Sequence, residues 1–151
     1  MPTPDIFLDT SALFAGIWSA TGGARMLLKL GEAGAIRLLV SSQVLAEVEN
    51  VLRRKSPESL GALALILDQS QIAITSTIES EHLTACHALI SYPPDALILA
   101  AAWSAQVDYF VTLDRQHLLD NPELHTAVPF PIGTPGDCLH WYRAKLISPA
   151  K

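Results

Sequence analysis

The sequence predicts an α/β three-layer sandwich with a mainly parallel central sheet flanked by helices. Short apolar runs alternate with longer segments of helical spacing, which is the order of a parallel sheet built through helical crossovers. The runs are continuously apolar instead of alternating, as strands covered on both faces are. The 151 residues carry no Ser/Gly/Pro linker that would divide them, so a single domain over residues 1–151 is expected.

Each element follows from a local pattern. Ile6 to Leu8 reads as a short buried strand, and "GARMLLKLGEAGA" as a helix with a Gly-rich exit. "AIRLLVS" is a second strand. The helix "SQVLAEVENVLRRK" follows, capped by Ser41 or Ser42, with Arg53, Arg54 and Lys55 at the end where positive charge suits the dipole. "SPESLGALALILDQS" is a helix begun by a Ser-Pro pair. "QIAITST" is a third strand and "IESEHLTACHALI" a helix. "YPPDALILAAAWSAQ" starts a helix at Pro94, and "DYFVTLD" is a fourth strand. "VPFPI" suits a sheet edge, because its prolines donate no ladder hydrogen bonds, and "DCLHWYRAKL" closes the chain as a helix.

Composition narrows the function classes. Half of the residues are hydrophobic and 17% are charged, which suits a compact core and argues against disorder. No apolar run reaches the roughly 18 residues of a membrane helix. The start "MPTPDIFLDT" lacks a signal-peptide pattern, and Cys86 and Cys138 form no close-spaced motif. A reducing cytoplasm is therefore expected. A net charge of −5 argues against coating nucleic acid through bulk charge, though not against a nucleic-acid enzyme with a local metal site.

In parallel α/β folds chemistry gathers beyond the carboxyl ends of the strands. Asp9 and Asp114 stand there, and each has two readings: a helix cap, or a ligand. Glu47 shares the helical face of Val44, Val48 and Val51, where an ionised carboxylate needs a cation, an Arg or a raised pKa, unless it reaches water at the stripe's edge. Asp95 opens a helix whose apolar face, Ile98, Leu99 and Ala102, continues from it; dipole compensation is its plainer role. Gathered together, four carboxylates would demand divalent cations, and an all-oxygen donor set favours Mg²⁺ or Mn²⁺.

The segments "FLDTSALFAG", "LAEVENVLRR", "PPDALILAAA" and "YFVTLDRQHLL" resemble the successive motifs of the PIN-domain nucleases, including the VapC-type toxin ribonucleases. The resemblance spans nearly the whole chain. It implies a PIN-like fold in which Asp9, Glu47, Asp95 and Asp114 form the catalytic metal site, with Ser11 and Thr112 as hydroxyls that support the acids or bind water. It further implies a Mg²⁺- or Mn²⁺-dependent endoribonuclease that leaves a 5′-phosphate and a 3′-hydroxyl. Such an enzyme acts either as the toxin of a toxin–antitoxin pair, with a cognate antitoxin and a homodimeric state, or as a housekeeping RNA-processing nuclease. A noncatalytic PIN-like interaction module is the remaining alternative within the family.

Other chemistries find less support. A haloacid-dehalogenase phosphatase would want a second Asp two residues after Asp9, where Ser11 stands. No P-loop or GxGxxG sequence is present. His82, Cys86 and His87 share a helix without a second pair to complete a zinc site. No His stands at an obvious active-site position, which accords with metal-activated water. The tryptophans Trp18, Trp103 and Trp141 are expected in the core or an interface, and the basic end at Arg53–Lys55 is expected to serve the helix dipole more than RNA phosphates.

Overall fold

The computed structural model of the protein describes residues 2–147. Five strands, β1 (Asp5–Leu8), β2 (Arg37–Ser41), β3 (Ala73–Thr75), β4 (Tyr109–Val111) and β5 (Ile132–Gly133), form one sheet in the order β3-β2-β1-β4-β5. Every pairing is parallel, as the continuously apolar runs predict. β1 lies at the centre, with Phe7 opposite Leu39 on one side and Phe110 on the other. Ile6 and Phe7 are wholly buried, and the Phe7 and Phe110 rings stack 5.3 Å apart.

The chain runs from β1 outward to β2 and β3, then returns across β1 to add β4 and β5 on its other flank. That reversal makes the gap between the carboxyl ends of β1 and β4 the topological switch point, where flanking connections diverge and leave a crevice. The helices are α1 (Thr10–Trp18), α2 (Gly23–Glu32), α3 (Ser42–Lys55), α4 (Leu60–Gln69), α5 (Ser80–Leu89), α6 (Pro93–Ser104), α7 (Pro122–Ala127) and α8 (Pro135–Ile147). A 3₁₀ turn at Pro57–Ser59 precedes α4, and a single π turn at Arg115–Leu119 follows β4.

Several local expectations shift by small amounts. α6 begins at Pro93, one residue before Pro94. The buried stripe of α3 is Val44, Val48 and Leu52. Val51, expected inward, is only partly buried, because the buried face centres on Val48 and turns toward Leu52. β4 stops at Val111, so Asp114 lies three residues past the strand. The "VPFPI" segment does supply the edge strand: β5 pairs only with β4, and the Pro131 carbonyl accepts the Phe110 N–H at 3.0 Å.

Of the two places expected for the tryptophans, Trp18 does not take the core. It is 54% exposed and stacks only on Phe14. Trp103 lies against His82, and Trp141 against Tyr109. Among the described residues no helix is long and apolar enough to cross a membrane.

Candidate active site

Asp9 is the first residue beyond the central strand. Its backbone N–H still bonds the Val111 carbonyl at 3.0 Å, so it is tied to β4, while its side chain caps α1. Oδ1 accepts the Thr10 N–H at 2.6 Å and Oδ2 accepts the Thr112 hydroxyl at 2.7 Å. Ser11 Oγ stands 3.5 Å from both Asp9 Oδ2 and Thr112 Oγ1, and accepts the Leu113 N–H at 3.0 Å. The carboxylate is 6% exposed. Burial pushes its pKa from 3.8 up to about 6, against the lowering bonds from Thr112 and Thr10, and the charges of Asp95 and Glu47 add to the rise.

Glu47 comes from α3, which leaves the carboxyl end of β2. Thr10 Oγ1 donates to its Oε1 at 2.8 Å, and Gln43, one turn earlier on α3, donates to Oε2 at 2.9 Å. Thr10 thus joins two acids, through its N–H to Asp9 and its hydroxyl to Glu47.

Asp114 caps the π turn. Its Oδ1 accepts the His117 N–H at 3.1 Å, and its own N–H donates to Thr112 Oγ1 at 3.0 Å. Thr112, wholly buried, therefore donates to Asp9 and accepts from Asp114, using both capacities of one hydroxyl. Asp95, in the first turn of α6, completes the group. Burial raises its pKa, followed by the charge of Asp114; His117 opposes the rise, and Glu47 adds to it.

All four predicted acids thus lie around the switch point, and the charge of Asp95 links them: Asp9 feels Asp95 and Glu47, and Asp95 feels Asp114 and Glu47. They are not equally close. Asp95, Asp114 and His117 each offer a ligand atom within 4.8 Å of the other two; Asp9 and Glu47 reach this group through Thr112 and Thr10. Of the two readings of Asp9 and Asp114, the cap is present at both: each carboxylate accepts an N–H of the turn that it begins.

His117 corrects the expectation that no histidine stands in the site. Its Nδ1 lies 3.1 Å from Asp114 Oδ2 and 3.8 Å from Asp95 Oδ2. The signal in the sequence was its place three residues after a capping Asp, which returns the side chain toward that Asp over one turn.

Among the described residues, no Lys or Arg pairs with any of the four acids; the basic side chains that form ion pairs do so with other carboxylates. Four carboxylates without a Lys or Arg partner among the described residues, two of them (Asp9 and Asp95) raised by burial and neighbouring charge, fit a divalent cation, and their hard oxygens fit Mg²⁺ or Mn²⁺. A cavity of about 360 Å³ lies elsewhere, beside Asp5, Arg37 and Thr75. A polymeric substrate needs an open cleft more than an enclosed volume, so cavity size does not locate this site.

A family model described as "PIN domain" matches residues 5–116, which include all four acids. The chain belongs to the PIN domain family. Among solved structures, a PIN-like fold of the same kind occurs in VapBC2 of Rickettsia felis, bound to a DNA fragment from its promoter. That match has a TM-score of 0.66 at 19% identity, over 85% of this chain and 98% of the other. DNA-bound VapBC of Salmonella typhimurium matches with a TM-score of 0.65 at 17% identity, over 88% and 99%. VapC20 of Mycobacterium tuberculosis, a toxin that cleaves the sarcin-ricin loop, matches with a TM-score of 0.53 at 17% identity, over 74% and 91%. No curated protein matches by sequence.

The remaining candidates resolve into structural roles. His82 stacks on Trp103 with ring centroids 4.9 Å apart and contacts Ser104 Oγ, while Cys86 is buried, its thiol pushed up to about 11 by desolvation. Among the described residues no group of metal-binding side chains includes Cys86 or His87. Arg53 pairs with Glu49 and Arg54 bonds the Asn50 carbonyl, both along their own helix.

Proposed function

We propose that this PIN domain protein is a divalent-metal-dependent endoribonuclease and the toxin of a toxin–antitoxin pair. The single observation that carries the reading is the gathering of the four acids at the switch point, Asp9 coupled by charge to Asp95 and Glu47, and Asp95 to Asp114, without a Lys or Arg partner among the described residues. In this reading the four acids hold Mg²⁺ or Mn²⁺, which when bound neutralises the phosphate and lowers the pKa of the attacking water.

The chain's own contribution is placement. Thr112 and Ser11 hold Oδ2 of Asp9 and the Thr10 N–H holds Oδ1, so that its orientation is fixed from both sides and only remaining lone pairs are left for a cation. Thr10 and Gln43 fix both oxygens of Glu47. Asp114 is held by the turn that it caps. Acids fixed in advance need little reorganisation when charge develops on the scissile phosphate. The expected products carry a 5′-phosphate and a 3′-hydroxyl.

The toxin assignment draws on the fold shared with two VapBC complexes and VapC20. It brings a cognate antitoxin as partner, a homodimeric state, a cytoplasmic location and an RNA substrate. The test is RNA cleavage with Mg²⁺ or Mn²⁺, with EDTA and Asp9→Asn as controls. Cleavage in EDTA, or full activity in Asp9→Asn, rejects the metal mechanism. Growth arrest on expression, relieved by co-expression of an antitoxin encoded beside this gene, separates a toxin from a housekeeping nuclease.

A further inference from the structure

The proposed metal site contains one nitrogen donor that the family-model match, ending at residue 116, does not reach. We propose that His117 is a direct ligand of the cation through Nδ1, which makes the outer part of the site a mixed nitrogen and oxygen set selective for Mn²⁺ over Mg²⁺. The inference rests on the metal-dependent reading above and deepens it.

Three observations converge. Nδ1 is 3.1 Å from Asp114 Oδ2 and 3.8 Å from Asp95 Oδ2. Donors on a shell of about 2.1 Å radius stand roughly 3 Å apart when adjacent, so these separations suit neighbouring ligands. The ring is also placed by its neighbours. Its own backbone N–H is bonded to Asp114 Oδ1, and its face stacks on Tyr92, 6.2 Å between centroids, the residue that precedes the α6 helix bearing Asp95. Finally, three electron-rich atoms aimed at one point repel unless something positive lies among them. A divalent cation held between the imidazole nitrogen and the two carboxylates would supply that charge. An imidazole donor shifts preference away from Mg²⁺, which takes oxygen ligands and keeps its waters, toward transition metals.

The experiment uses Mn²⁺ alone as the probe, added to the purified metal-free chain. Pulsed EPR on bound Mn²⁺ is expected to show ¹⁴N coupling that vanishes in His117→Ala. Calorimetry is expected to show Mn²⁺ affinity falling by about tenfold or more in that variant, with Mg²⁺ affinity changed far less. The substitution keeps the backbone N–H that caps Asp114, and circular dichroism checks that the fold persists; His117→Gln serves as a second variant if it does not. Mn²⁺ binding without ¹⁴N coupling, or coupling that survives both substitutions, overturns the role of His117 and leaves the four acids standing. Absence of Mn²⁺ binding, or binding indifferent to Asp9→Asn, overturns the metal reading itself and the ligand proposal with it.

Discussion

The two ends of the acidic crevice are held in different ways. At the Asp9 end the carboxylate is buried, and a backbone N–H and a buried hydroxyl occupy its oxygens. At the Asp114 end the carboxylates are partly exposed and share a half-exposed imidazole. The first arrangement is a consequence of topology, since Asp9 and Thr112 are the residues just beyond two adjacent parallel strands. The second depends on side chains that could move. Charge at the buried end is therefore expensive and its geometry fixed, whereas the open end can adjust to an incoming cation.

Substitutions at the two ends should separate these properties. The largest expected effect is on activity in Asp9→Asn: a loss of roughly a thousandfold in RNA cleavage, the scale of removing several kcal/mol of charge stabilisation. The same variant should gain stability in EDTA, because a buried charge has been deleted, and thermal unfolding measures that gain. If Asp9→Asn instead loses stability without metal, the cap outweighs the charge.

The pH dependence of the metal-free protein gives the next largest effect. The Asp9 pKa is raised from 3.8 to about 6 on folding, so protonated Asp9 stabilises the fold. That contribution is fully present below about 3.8 and is lost as pH rises through about 6, a difference of about 3 kcal/mol. Asp95, also raised, acts in the same direction. Denaturant unfolding in EDTA should weaken across this window, and Asp9→Asn should flatten the profile.

Thr112→Val keeps the volume but removes the hydroxyl that donates to Asp9 and accepts from Asp114. Two buried polar groups lose their partner, and the expected cost is about 1 to 3 kcal/mol by urea unfolding. His117→Ala, at the open end, should change stability by less than about 1 kcal/mol. Ser11→Ala should cost least, about 0.5 kcal/mol, because its contacts to Asp9 and Thr112 are long at 3.5 Å and the Leu113 N–H that it accepts at 3.0 Å is exposed and can bond water instead. If His117→Ala proved as destabilising as Thr112→Val, the contrast between a fixed and an adjustable end would fail.

Much of the fold was legible because the signals are local. The apolar runs at Ile6–Leu8 and "YFV" each mark a strand without reference to the rest of the chain, and Ser41 does cap α3. The helix α1 was less plain, since "TSALFAGIW" is apolar nearly all round and carries little periodicity. The α7 segment was hidden among prolines, although Asn121 caps it as a polar residue before Pro122 should. For the site, the acids were visible as carboxylates set against apolar surroundings. The double duty of Thr112 and the approach of His117 to Asp95 were not, because neither follows from any helical or strand period.

The sequence by itself determined the strands, the parallel sheet and the order of the four acids, because burial and backbone preference act over a few neighbouring residues. Tertiary structure alone decided which oxygens meet. Thr112 reaches Asp9 across 103 residues of chain, and only the return crossover that sets β4 beside β1 makes that bond. The same crossover, by adding the π turn against the start of α6, brought a histidine whose sequence context pointed to Asp114 alone beside Asp95 as well.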